Sequence, residues 1–135
     1  MPSLLVENML QRTGLPRITA DTYNAFLAAH PQVVLFFCES PERYPESNDV
    51  AMVLPEILKE FPQLQGAIID SSFERDLQKQ FDFTRWPALA FFVNGDYRGN
   101  MTGIQNWDDY TSRIPELLSD TPTIIPLINL QETRA

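Results

Sequence analysis

The chain has 135 residues, of which 44% are hydrophobic, and a formal net charge of -8 at pH 7. This length is typical of one domain with a complete core, so we interpret 1–135 as a single domain. The acidic balance argues against a nucleic-acid or anionic-membrane surface and predicts that any charged partner is basic.

The sequence predicts a cytoplasmic protein that is not inserted in a membrane. Its one cysteine, Cys38, cannot close a disulfide within the chain, so the fold does not need an oxidising compartment. No stretch approaches the roughly 18 apolar residues of a membrane helix. No basic segment precedes the short apolar stretch near Met1, as a secretion signal would require.

The first thirty residues predict two helices that flank a short strand. Ser3 can cap an amphipathic helix that ends near Gly14. A brief strand is expected at 17–19, and a second helix from about Asp21. The His30-Pro31 pair ends that helix, because a residue before proline disfavours helical backbone.

The next segment predicts a central strand, a loop and a helix. The apolar run 33–38 is typical of a strand that is buried on both faces of an α/β sheet. A polar loop is expected over 39–49, followed by a helix over 50–61 that contains Pro55.

The remaining elements end in a β-hairpin and a helix. A short strand is expected at 67–70 and a short helix at 73–81. The Asn94-Gly95 pair between two strand-like runs predicts a hairpin over 88–102, since both residues of a type I′ turn need positive φ. Asn106 is the expected cap of the last helix. The predicted order is βαβαββα after an extra N-terminal helix.

These elements resemble thioredoxin over about 17–118. Nearly the whole chain is similar to the thioredoxin-like proteins of nickel-iron hydrogenase maturation, the HyaE/HupG type. The resemblance rests on several segments: 33–39, Pro55, 67–70, 83–87, 94–99 and 103–104. It implies a thioredoxin-like α/β fold, with a central mixed sheet flanked by helices, an extra N-terminal helix and an apolar C-terminal tail at 121–135.

The resemblance also shows where the chain departs from thioredoxin enzymes. It places the two redox cysteines at Ser47 and Val50, and the buried carboxylate of the enzymes at Phe36. Neither Ser47 nor Val50 can carry out thiol exchange. Cys38 is interpreted as a core residue, and the lone His30 has no companions for a metal site. We expect no enzyme activity, no metal and no cofactor.

What remains is the groove in which thioredoxin folds bind extended peptides. Backbone pairing along such a groove needs no thiol. Its expected walls are formed by six residues: Ser47, Asn48, Asp49, Val50, Trp86 and Pro87. The resemblance implies a cis Trp86-Pro87 bond. Trp86 is interpreted either as a lid on the core or as an anchor for a bound side chain.

The predicted loop 39–49 carries four carboxylates, Glu39, Glu42, Glu46 and Asp49, against one arginine. It is either a solvated acidic loop or a surface that attracts basic ligands.

The HyaE-type resemblance implies the partner. It is the twin-arginine signal peptide of the hydrogenase small subunit precursor, with other hydrogenase maturation proteins as further partners. We therefore expect a non-enzymatic chaperone in which Glu42, Glu46 and Asp49 recognise arginines. Two alternatives remain: a monothiol oxidoreductase that uses Cys38, and a structural subunit that binds through its flat face or its tail.

Overall fold

The computed structural model describes residues 4–38, 46–81, 83 and 85–119. Their helices and strands follow the order predicted from the sequence, including the extra N-terminal helix. In chain order they are α1 (Leu4–Thr13), β1 (Arg17–Ile18), α2 (Tyr23–Ala29), β2 (Gln32–Phe37), α3 (Glu46–Glu60), β3 (Gln65–Ile69), α4 (Ser71–Gln78), β4 (Ala88–Val93), β5 (Asp96–Thr102) and α5 (Trp107–Leu118).

The strands form one mixed sheet with the order β1-β3-β2-β4-β5. β3 is parallel to β1 and β2, whereas β4 is antiparallel to β2 and β5. β2 therefore lies at the centre, with hydrogen-bonded neighbours on both sides. Its residues from Val33 to Phe37 are all buried, which explains the continuous apolar run in the sequence.

Side chains on the two faces of the sheet form two cores. Val34 and Phe36 of β2 point into the core that α1, α3 and α5 cover. Leu35 and Phe37 point into the other, which α2 and α4 cover. Successive side chains of a strand alternate between faces, so one short apolar strand contributes to both cores.

The β4–β5 hairpin confirms the turn prediction. Asn94 and Gly95 have φ values of 51° and 84°, as a type I′ turn requires. Pro87 lies directly before β4, and the Trp86-Pro87 peptide bond is cis, as the resemblance to thioredoxin implies.

The start of α3 corrects the prediction of a loop as far as Asp49. The helix begins at Glu46, so the segment from Glu46 to Asp49 forms its first turn. Two carboxylates in that turn are favourable beside the positive end of the helix dipole. Pro55 lies inside α3, as predicted.

Two further helix starts differ from the sequence prediction, and β3 spans Gln65–Ile69 and not 67–70. α2 begins at Tyr23 and not at Asp21, because a hydrogen-bonded turn precedes it, in which the Thr19 N–H donates to Thr22 Oγ1 at 3.0 Å. α4 spans Ser71–Gln78 and not 73–81, because Asp70 is its N-cap and accepts the Ser72 N–H at 3.1 Å.

We expect Asp70→Ala to lower the free energy of unfolding by about 1 kcal/mol, the usual value of an N-cap. The pKa of Asp70 is lowered mainly by the hydrogen bond that the Ser72 hydroxyl donates to its carboxylate. A lowered pKa means that this stabilisation is present at neutral pH and is lost as the pH falls through the folded-state pKa.

Urea titrations at neutral and acidic pH measure the effect. Asp76→Ala, on the exposed side of the same helix, is the control and should change stability by less than about 0.5 kcal/mol. Equal effects of both substitutions would contradict the assigned cap.

Candidate functional site

Three parts of the chain meet at the end of the sheet where β4 begins and β5 ends. The Gly103 N–H donates to the carbonyl oxygen of Pro87 at 2.8 Å. The next N–H, that of Ile104, donates to Glu46 Oε1 at 3.0 Å. The cis proline, the segment after β5 and the start of α3 are therefore adjacent. We call this region the Pro87 end of the sheet.

Glu46 has a structural contact as well as a negative charge in this region. Its side chain is exposed and joins α3 to the segment after β5. Gly103 has a φ of +69°, and a Cβ atom there would lie 3.0 Å from Glu46 Oε1. A glycine therefore fits this bend for two reasons: its backbone conformation and the space taken by the carboxylate.

The positions that correspond to redox cysteines lie inside the protein. Ser47 and Val50 are 0% and 1% exposed. The Ser47 hydroxyl donates to the carbonyl oxygen of Cys38 at 2.8 Å, and Cys38 itself is buried. Of the predicted groove residues in this turn, Asn48 is half-buried and Asp49 is exposed. The side chains of Ser47 and Val50 pack into the core and do not line a surface groove.

Trp86 is half-buried and has its own contacts. It meets Phe83 edge to face, with ring centroids 6.2 Å apart. The guanidinium carbon of Arg75 lies 5.8 Å from the centroid of the tryptophan ring, within the range of a cation–π interaction. Arg85, the residue before Trp86, is exposed. Two arginines therefore lie beside Trp86, which the sequence did not predict.

The opposite side carries negative charge. Asp108 and Asp109 lie in the first turn of α5 and are exposed. Burial raises the pKa of Tyr110, and the negative charges of Glu46 and Asp109 raise it further. The Tyr110 hydroxyl accepts the Gln105 N–H at 3.1 Å. The first turns of α3 and α5 are thus both acidic, and we call their carboxylates, Glu46, Asp49, Asp108 and Asp109, the acidic surface.

Large apolar side chains are exposed at three positions of the described chain: Met52 at 51%, Ile104 at 37% and Trp107 at 42%. Ile104 and Trp107 follow Gly103 within four residues, and the Ile104 N–H contacts Glu46. The sequence analysis did not single out either residue, since exposure of a helix-start tryptophan has no local sequence signal.

The remaining sequence predictions concern residues that lie away from the Pro87 end or that the structure does not describe. Glu39, Glu42 and the predicted tail 121–135 lie outside the described residues. His30 is at the C-cap of α2 and packs on Phe26, with ring centroids 4.7 Å apart. Within the described ranges, no three metal-binding side chains are grouped. Among those same residues, no helix has the length and apolar character needed to cross a bilayer.

Comparison with known proteins identifies similar chains. Residues 5–110 match the family model described as Hydrogenase-1 expression protein HyaE. The hydrogenase expression/formation protein HoxO of Azotobacter vinelandii is 36% identical over 124 residues, which cover 92% of this chain and 84% of HoxO.

Solved structures with a similar fold include a hydrogenase protein and a thioredoxin. A hydrogenase expression/formation protein HupG from Rhodopseudomonas palustris has 33% identity and a TM-score of 0.55, covering 76% of this chain and 94% of that one. A thioredoxin from Halobacterium salinarum gives a TM-score of 0.64 at 18% identity, covering 80% of this chain and 93% of that one. The latter likeness shows the fold alone, and it confirms the predicted thioredoxin-like architecture.

Proposed function

Because the chain belongs to the HyaE family of hydrogenase expression proteins, we propose that it is a cytoplasmic, non-enzymatic chaperone of hydrogenase maturation. Its ligand in this proposal is the twin-arginine signal peptide of the hydrogenase small subunit precursor. Other maturation proteins of the hydrogenase are further partners. The observation that carries the proposal is the Pro87 end of the sheet, where a cis proline at the start of β4 lies close to exposed carboxylates.

The absence of thiols at the two redox positions supports binding without catalysis. Thiol exchange needs an accessible thiolate and a second thiol that resolves the mixed disulfide. Here the corresponding residues are a hydrogen-bonded serine and a valine, both buried. Burial of Cys38 at 4% exposure also weighs against the monothiol alternative.

The charge of the acidic surface supports an arginine-containing ligand. Glu46 and Asp49 are three residues apart on the first turn of α3, so their side chains lie on neighbouring parts of the helix. A guanidinium group can pair with a carboxylate through two parallel hydrogen bonds. In the proposal, Glu46, Asp49 and Glu42 bind the arginine pair, while Asn48 and Pro87 border the extended peptide.

Titration calorimetry with a synthetic peptide tests the proposal. The peptide carries two adjacent arginines followed by about ten leucine and alanine residues, the length of a signal-peptide core. Replacing both arginines by glutamine should weaken binding by about 1 to 3 kcal/mol, the scale for loss of charge-assisted contacts. Affinity should also fall with added salt, because exposed charges are screened beyond about 8 Å at physiological ionic strength.

Three variants of the protein test whether the charge of Glu46 contributes to peptide binding. Glu46→Gln removes the charge but retains an acceptor for the Ile104 N–H, whereas Glu46→Ala removes both. Glu60→Gln, at the far end of α3, is the matched control. Binding should fall with both Glu46 variants and stay unchanged with Glu60→Gln. If the peptide binds equally well without its arginines, or not at all, the proposed ligand is wrong. If a hydrogenase protein binds with an affinity that none of these substitutions changes, the structural-subunit alternative is favoured.

A further inference from the structure

We infer that the apolar part of the bound peptide rests on Ile104 and Trp107, and not on Trp86. This inference rests on the proposed function and identifies the part of the surface that holds the ligand's apolar stretch. We call Ile104 and Trp107 the apolar pair. Trp86, which the sequence suggested as an anchor, then serves as part of the core.

Exposure distinguishes the apolar pair from Trp86. Ile104 and Trp107 are 37% and 42% exposed, although burying such side chains on folding would be favourable. Large apolar groups that remain exposed together often mark an interaction surface. Trp86, by contrast, packs against Phe83 and the second core.

The negative charges of the Pro87 end also lie close to the apolar pair. Ile104 adjoins Glu46, whose carboxylate accepts its N–H, and Trp107, three residues later, precedes Asp108 and Asp109 in the chain. A peptide that joins arginines to an apolar stretch can therefore contact carboxylates and the apolar pair at once.

Positive charge makes Trp86 a poor place for the same peptide. The Arg75 guanidinium lies over its ring, and Arg85 is exposed beside it. An arginine pair brought close to Trp86 would meet like charges, which disfavours that orientation. The two sides of the Pro87 end thus favour one placement of a basic, apolar peptide.

The two tryptophans of the chain allow a direct test by fluorescence. In Trp86→Phe, Trp107 is the only tryptophan, and in Trp107→Phe, only Trp86 remains. The probe is the peptide of two arginines and a leucine-alanine stretch. On binding, the emission of Trp107 should shift to shorter wavelength because the ring leaves water. The emission of Trp86 should change little.

Affinity measurements with alanine variants provide the second readout. Trp107→Ala should weaken binding of the peptide by about 10-fold or more, as loss of an aromatic anchor does. Met52→Ala is the matched control. It is also an exposed large apolar residue, but lies six residues after Glu46 on α3, about 120° away around the helix. It should change affinity less than about 3-fold.

The outcomes separate the two proposals. Arginine-dependent binding that shifts Trp86 emission, or that Met52→Ala weakens as much as Trp107→Ala, would overturn the inference and leave the proposed function standing. If the peptide does not bind at all, both the proposed function and the inference are wrong.

A further variant and a folding control complete the test. Because Trp107→Phe retains an aromatic ring, its affinity for the peptide should lie between those of the wild type and Trp107→Ala. Circular dichroism spectra and melting curves establish that each variant is folded, and variants that do not fold are replaced by Ile104→Ser.

Discussion

Phe36→Asp is expected to prevent stable folding. Phe36 lies on the central strand β2, fully buried, between Ile68 of β3 and Leu89 of β4. Removing the ring costs about 3 to 5 kcal/mol, and an unpaired carboxylate in an apolar core adds several kcal/mol. Together these costs match the whole stability of a typical domain, about 5 to 15 kcal/mol.

Far-ultraviolet circular dichroism and urea unfolding measure the effect. Phe36→Leu is the matched control, and its loss should be about 1 kcal/mol, as for other conservative core changes. The resemblance to thioredoxin places a buried carboxylate at this position in the enzymes. A cooperative unfolding transition of Phe36→Asp near that of the wild type would therefore mean that the site can solvate a carboxylate, contrary to the structure.

The second large effect concerns the thiol of Cys38. Its side chain is 4% exposed at the end of β2, and its carbonyl oxygen accepts the buried Ser47 hydroxyl. Reaction with a thiol reagent therefore needs opening of the structure at the junction of β2 and α3. We expect labelling in the native state to be slower than in urea by at least about 1,000-fold, since opening of buried regions costs several kcal/mol.

An insulin-reduction assay completes this test, and we expect no turnover above background. Cys38→Ser should leave the result unchanged. Fast labelling of native protein, together with turnover that disappears in Cys38→Ser, would instead support the monothiol alternative. Ser47→Ala should label faster than the wild type, because the variant lacks the hydrogen bond that holds α3 to the end of β2.

The sequence predicted those parts of the fold that are encoded locally. The apolar run of β2 is typical of a strand covered on both faces, and the Asn94-Gly95 turn is specified by two residues that accept positive φ. The start of α3 was missed because its first turn consists of polar residues next to a proline-marked segment. Its stability depends partly on Ile104, 58 residues away, whose N–H binds Glu46.

The candidate site was predictable as a region but not in detail. The sequence placed Pro87 opposite the start of α3, and the structure brings these two segments together. Whether Ser47 faces solvent depends on the first turn of α3, and whether Trp86 is available depends on Arg75, which α4 brings over its ring. Such contacts between distant segments have no signature in a single sequence. For the same reason, the exposure of Trp107 became visible only in three dimensions.

The hydrogen bond from Arg98 Nη2 to the carbonyl oxygen of Ser119 joins the end of α5 to β5. Arg98 is near the start of β5, whereas Gly103, at the Pro87 end, follows its last residue. At about 3.3 Å per residue, the two positions are roughly 17 Å apart. Ser119, the last described residue, therefore lies toward the end of β5 that is remote from Gly103 and Glu46.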